Sequence, residues 1–193
     1  LEALDWVVIT KYSDAIAAVV RGEVDYALLG TGQNYAVKNM DDVEVMCFQS
    51  DIMPNYSCCR MEASSEFVKK NPTTIKLILK ALIRAQCYYE ANKDIAASLH
   101  AEKIGVEREY VESFMFNDHY LVHVDPLLKP VVRAWGILGA TGFLNENAKN
   151  INIRDHVNTT LYEAALKEAT DEYGKEAPDF YKRMWQFFEE NDA

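Results

Sequence analysis

The chain has 193 residues, 49% of them apolar and 26% charged, which are the proportions of a globular protein long enough for one core or two small ones. Twenty Lys and Arg against thirty Asp and Glu leave a net charge of −10, with no basic cluster to interrupt it. That excludes nucleic-acid binding by phosphate neutralisation, and no stretch approaches the ~20 apolar residues of a transmembrane helix.

Residues 6–9 and 24–29 are apolar runs of strand length. Between them, residues 14–21 carry the apolar spacing of a short helix that Gly22 stops. Strand, helix and strand in so short a span predict a βαβ crossover and a parallel sheet. Ligands of such sheets bind beyond the carboxyl ends of the strands, here at residues 10–13 and 30–35. A second helix is predicted from near Gly32 to residues 39–40, and a third strand over 43–48. A turn-rich link at 53–56 leads into an extended crossing over 56–61.

From residue 64 the pattern turns helical. Ser64 and Ser65 can cap a helix that ends before Asn71, and Asn71-Pro72 opens a long one whose stripe of Ile75, Leu79, Leu82, Ile83, Gln86 and Tyr89 reaches about Ala91. Shorter helices follow at 93–102, 107–116 and 127–139, with Gly105 and the stretch 139–142 as breaks. Two last ones, 156–173 and 178–190, are split by Gly174 and Pro178. In the tail, Phe180, Met184, Trp185 and Phe188 recur at helical spacing, the pattern of a core face.

The order of these pieces carries a resemblance. The run "DAIAAVVRGEVDYALLG" of residues 14–30, the Ser50-Asp-Ile-Met-Pro-Asn-Tyr-Ser57 passage and Phe67-Val-Lys-Lys-Asn-Pro72 with the helix after it resemble the solute-binding proteins of bacterial ABC importers. The branch is the nitrate, sulfonate, taurine and pyrimidine-precursor type, and the likeness extends to about Ile153. The resemblance implies an α/β chain that is part of a two-lobed periplasmic-binding-protein type II fold, helix-rich in its C-terminal two-thirds. Residues 1–56 would be the remainder of the α/β second lobe. Residues 57–193 would hold the hinge return and the helical part of a first lobe whose N-terminal segment is absent, so that Leu1-Glu2-Ala3-Leu4 opens mid-protein.

The implied function is the extracytoplasmic solute-binding component of an ABC importer, in the periplasm or lipid-anchored at the cell surface, closing two lobes over a small polar or anionic organic solute. Its partners would be the solute and the permease and ATPase subunits, with self-association through surfaces left bare by the missing lobe; no nucleic acid, cofactor, metal or catalytic residue is expected. Two other classes stay open. One is an enzyme like the pyrimidine-precursor synthases of thiamine biosynthesis, with pyridoxal phosphate and iron, of whose cysteine motif Cys58-Cys59 is an echo. The other is a non-catalytic sensor or interaction module.

The candidate ligand-binding residues are Tyr12, Ser13, Thr31, Gln33, Asn34, Asn55 and Tyr56. Gly30-Thr-Gly-Gln-Asn-Tyr35 follows a strand and opens a helix, where glycines admit a ligand to the backbone and the first N–H groups favour a carboxylate or anion. It lacks the third Gly of a dinucleotide fingerprint and the Lys of a P-loop, and Thr31 can equally cap a plain turn. Relatives carry an acidic residue and Pro-Tyr in this loop, where Gln33 and Asn34 stand here. Tyr12 can stack on a ring, while Ser13 or Asp14 can cap the helix that follows; Asn55 and Tyr56 fall at the implied hinge.

His119 and His123 are four apart, and would meet on a helix, but Tyr120 stands where a zincin needs Glu. The flanking Asn117-Asp118 and Asp125-Pro126 favour a loop. Cys47, Cys58, Cys59 and Cys87 show no metal-site spacing and read as small buried thiols. Cys58 and Cys59, adjacent on an extended segment, would point to opposite faces.

Overall fold

A computed structural model describes residues 4–193, and the opening Leu1-Glu2-Ala3 lies outside the described residues. In chain order the α-helices are α1 (Tyr12–Val20), α2 (Asn34–Val37), α3 (Gln49–Ile52), α4 (Ser65–Lys70), α5 (Pro72–Ala91), α6 (Lys93–Ile104), α7 (Arg108–Met115), α8 (Leu128–Ala140), α9 (Glu146–Lys149), α10 (Thr159–Tyr173) and α11 (Pro178–Asn191). Two 3-10 turns, Thr31–Gln33 and Ile153–His156, complete the regular structure.

The helices follow local chemistry. At the end of α1, Gly22 takes a left-handed φ of 69°, and its N–H and that of Glu23 bond the carbonyls of Val19 and Ala18, so the last orphan carbonyls are satisfied where the sequence places its stop. Ser64 Oγ accepts the Phe67 N–H at the start of α4. Asn71 has two roles: its Nδ2 donates to the Phe67 carbonyl to close α4, and its own carbonyl accepts the Ile75 N–H in the first turn of α5. Asn145 and Asn158 cap α9 and α10 in the same manner as Ser64.

The α/β expectation is overturned: among the described residues there is no strand and no sheet, so the chain does not form the α/β two-lobed binding-protein fold. Residues 6–9, 26–30, 43–48 and 56–61 form no ladder, and several of their apolar side chains stand in solvent, with Val8 91% exposed and Leu28 and Met46 each 78% exposed. A strand exists only when a neighbour takes its N–H and C=O groups. An apolar run reports a wish for burial but not the presence of that neighbour. The crossover, the parallel sheet and the ligand edge deduced from it fall together.

The chain divides into two compact units, each described by itself. The first comprises residues 1–54 and 92–121. Its core joins Ala15, Ile16 and Ala18 of α1, Val37 of α2, Ala97 and Ala101 of α6, and Val111, Phe114 and Met115 of α7. Alanines on α6 let α7 approach closely, and an edge-to-face chain of rings runs from Tyr35 through Tyr110 and Phe114 to Tyr120. Gly32 rests on this chain: a Cβ there would meet Tyr110 Oη at 2.9 Å and Phe114 at 3.3 Å, so the turn can lie against α7 only without a side chain.

The second unit comprises residues 55–91 and 122–193, and its core is a helical seam. Ile75, Leu79 and Ile83 of α5 meet Tyr162, Ala165, Leu166 and Ala169 of α10, with Phe180, Tyr181, Met184 and Phe188 of α11 closing the third side. The alanines lie on the face of α10 where α5 packs, which brings the two backbones together. Lys76 pairs with Glu168 and Lys80 with Glu172 along the rim of the seam, where solvent leaves each pair worth no more than ~1 kcal/mol. The Arg84 guanidinium lies 3.6 Å over the Tyr173 ring, and Trp185 Nε1 donates to Thr170 Oγ1 at 3.0 Å.

Candidate functional site

In the first unit an open cleft of about 980 Å³ lies between α2, the 38–48 segment and Ser113 of α7. Asn34 stands at its edge. Its Nδ2 reaches the Ser113 carbonyl at 3.4 Å, while its Oδ1 is buried and has no donor. A buried acceptor left empty costs on the order of 1–3 kcal/mol, and this oxygen lies beneath the cleft surface, out of reach of solvent. Asp41, Asp42 and Glu44 also line the cleft against a single cation, Lys38, whose Nζ lies 4.4 Å over the Tyr35 ring. The field inside is therefore negative. Tyr35 Oη donates to Glu107 Oε2 at 3.2 Å, and burial and that carboxylate raise its pKa, which keeps the phenol protonated.

Phe48 forms one wall, with its ring stacked on His119 at 3.9 Å between centroids. His119 Nδ1 lies 2.8 Å from Ser50 Oγ and 3.5 Å from Asp51 Oδ1, and Asp51 Oδ2 accepts the Phe48 N–H at the start of α3. Ser, His and Asp thus come together, but both partners face one ring nitrogen. A nucleophilic triad needs the serine on one nitrogen and the carboxylate on the other, so this set braces Phe48 and does not activate Ser50.

The sequence-nominated residues scatter. Asn34 lines the cleft; Thr31 and Gln33 lie one turn before it in the 3-10 turn, and Tyr12 packs over Gly30, whose Cβ would meet Tyr12 Oη at 3.3 Å. Thr31 caps nothing, since Gly30 is the cap residue and no side chain bonds there. Ser13 falls inside the first turn of α1, not at its cap, which is Lys11, and its Oγ reaches only Asp14 at 3.4 Å. One-turn α2 has too little dipole to hold an anion by its N-terminus. In the second unit, Asn55 adopts a left-handed φ of 54° and donates to Asn191 Oδ1 at 3.2 Å, and Tyr56 is exposed.

His119 and His123 occupy a non-helical stretch and share no helix face. Among the described residues no group of three or more His, Cys, Asp or Glu is placed to hold a metal ion. Cys47, Cys58 and Cys59 are exposed and only Cys87 is half-buried, which overturns the buried-thiol reading for three of the four.

The strongest electrostatic feature was not anticipated from the sequence. In the second unit, Asp125 is wholly buried and Asp192 nearly so. Leu127 N–H donates to Asp125 Oδ1 at 2.9 Å and Leu128 N–H to Asp192 Oδ1 at 2.7 Å, so both carboxyls cap the start of α8. Their remaining oxygens, both Oδ2, are buried without a partner. Two carboxyls buried together cannot both hold a charge without a large cost. Burial, then the neighbouring Asp192, push Asp125 up to about 9, which leaves it a neutral acid at pH 7.

Around this pair, Arg60 Nη1 donates to the carbonyls of Asp125 at 2.7 Å and His123 at 3.3 Å, and burial lowers its pKa. Burial raises Tyr162, whose hydroxyl has no partner, and lowers His123, whose ring stacks on Phe187 at 3.9 Å. The bonds hold Leu127 at a left-handed φ of 57°, a conformation that costs a branched residue ~1–2 kcal/mol. Both carboxyls are out of reach of solvent, so the pair joins the chain's last residues to α8 and is not a place where a substrate binds. Asp125 announces itself faintly, as an acid beside Pro126 within an apolar stretch; Asp192 gives no local signal at all.

Comparison of the chain with protein-family models, curated proteins and solved structures gives no match.

Proposed function

We propose that the chain is a non-catalytic binding protein for a small polar solute, held in the cleft of the first unit through the solute's N–H groups and positive charge. The observation that carries this reading is an open cleft lined by the exposed carboxylates of Asp41, Asp42 and Glu44 against the single cation Lys38. An ammonium or amidinium group would meet these carboxylates with charge and N–H donors together. The acidic lining favours such a cation over the nitrate or sulfonate that the resemblance implies. Delivery of the solute to the permease and ATPase of an ABC importer, from an extracytoplasmic position, is the role that the order of segments in residues 14–72 supports.

Thermal unfolding of the full chain is the test, with a panel of organic amines, amidines, nitrate, sulfonates and pyrimidines. A solute at a hundred times its dissociation constant is expected to stabilise by ~2.7 kcal/mol, with amines or amidines giving the shift. Asp42→Asn removes one of the three carboxylates of the lining and is expected to weaken that solute roughly five- to tenfold. A shift produced only by sulfonates or nitrate, or by no member of the panel, would overturn the cleft reading.

A further inference from the structure

Cys58 and Cys59 do not point apart. Both are free and exposed, and the Cys59 thiol donates toward Cys58 Sγ at 3.7 Å. The segment that carries them is pinned on both sides: Asn55 bonds Asn191, and Arg60 holds the carbonyls of His123 and Asp125. A bond from Cys58 N–H to the Tyr56 carbonyl at 3.1 Å turns the backbone at Ser57, just before the pair.

The spacing discriminates between fates for such a pair. A disulfide would need the sulfurs at ~2.05 Å, and adjacent Cα atoms, ~3.8 Å apart, are closer than the usual 4.4–6.8 Å of bridged cysteines, so that bond would be strained. One atom shared between the sulfurs needs no such compression. With sulfur–metal bonds of ~2.3 Å, two sulfurs 3.7 Å apart subtend about 107° at the shared atom, close to the tetrahedral angle. Thiolates select soft ions, and exposure leaves the pair open to them.

We infer that Cys58 and Cys59 form a two-sulfur binding site for a soft, thiophilic ion of tetrahedral or pyramidal geometry. With two protein ligands the ion keeps open positions, so the site captures and exchanges its ion and does not staple the fold. Both thiols lose their protons on binding, so capture strengthens as pH rises.

Phenylarsine oxide is the probe, added in equimolar amount to the reduced full chain and followed by intact-mass spectrometry. Two arsenic–sulfur bonds form and the arsenic–oxygen bond breaks; the two thiol protons leave with that oxygen as water, and nothing is oxidised or reduced. One adduct is expected, retained when excess glutathione is added, because two sulfurs on one chain outcompete a monothiol. Retention is expected to persist in Cys47→Ser and Cys87→Ser and to be lost in both Cys58→Ser and Cys59→Ser. The last two change exposed atoms, and unchanged helical circular dichroism verifies their fold. An adduct that glutathione strips from the unmodified chain, or one that survives in Cys58→Ser or Cys59→Ser, would overturn the assignment.

Discussion

Raising the pH from 7 to 9 is expected to destabilise the chain, and Asp125→Asn to flatten that slope. The folded pKa of Asp125, about 9, lies far above its usual 3.8, so across the interval the folded state holds a proton that the unfolded state has released. A carboxyl raised in this way contributes stability that is complete below about pH 4 and is lost as pH climbs to about 9, at no more than ~1.4 kcal/mol per pH unit. The window matters, because other groups act elsewhere. Glu172, held below its usual range by Lys80, and Glu23, held there by Arg21, lose their contribution on acidification below about pH 4.5. His123, lowered by burial, loses its contribution as pH falls below about 6.5.

Asparagine keeps the shape and the bond from Leu127: its Oδ1 can accept that N–H, and its Nδ2 offers a neutral donor in place of the buried acid. At pH 8 the variant is therefore expected to exceed the parent by roughly 2–4 kcal/mol in urea unfolding. Asp125→Ala, in contrast, leaves Asp192 buried alone and is expected to cost roughly 3 kcal/mol. If Asp125→Asn unfolds with the parent's pH slope between 7 and 9, the buried proton is not there.

Leu166→Ala is expected to cost roughly 3–5 kcal/mol, the upper part of the range for such truncations. Leu166 is fully buried where α5, α10 and α11 converge, and its neighbours on α10, Ala165 and Ala169, are already minimal. With backbones that close, little can move into the space a leucine vacates. The loss appears as a lower denaturant midpoint with an unchanged slope. Leu77→Ala on the same α5, at a residue 55% exposed, is the control and is expected to stay within ~0.5 kcal/mol. Equal losses at the two positions would mean that the seam is not the core of the second unit.

The helical part of this fold was legible in the sequence. Ser64, Pro72, Gly105, Pro178 and the stripe from Ile75 to Ile83 set starts, stops and buried faces within a few residues of what the structure shows, save that Leu82 of that stripe is 39% exposed. The one-turn helices α3 and α9 went unnoticed, because four residues hold no periodicity to detect. Of the cleft, the sequence nominated Asn34 but not Asp41, Asp42, Glu44 or Phe48: the two aspartates look like ordinary loop residues, and Glu44 and Phe48 fall in the run that has the pattern of a strand over 43–48.

What the sequence determined by itself is what bonds locally: a helix satisfies its backbone within four residues, so its caps and stripe are written beside it. What only the tertiary structure decided depends on meetings across the chain. The apolar runs at 6–9, 24–29 and 43–48 had the composition of strands, yet no ladder forms among the described residues, because pairing is a property of two segments and composition belongs to one. The proton on Asp125 is of the same kind: neither Asp125 nor Asp192 is unusual alone, and burial together keeps Asp125 an acid.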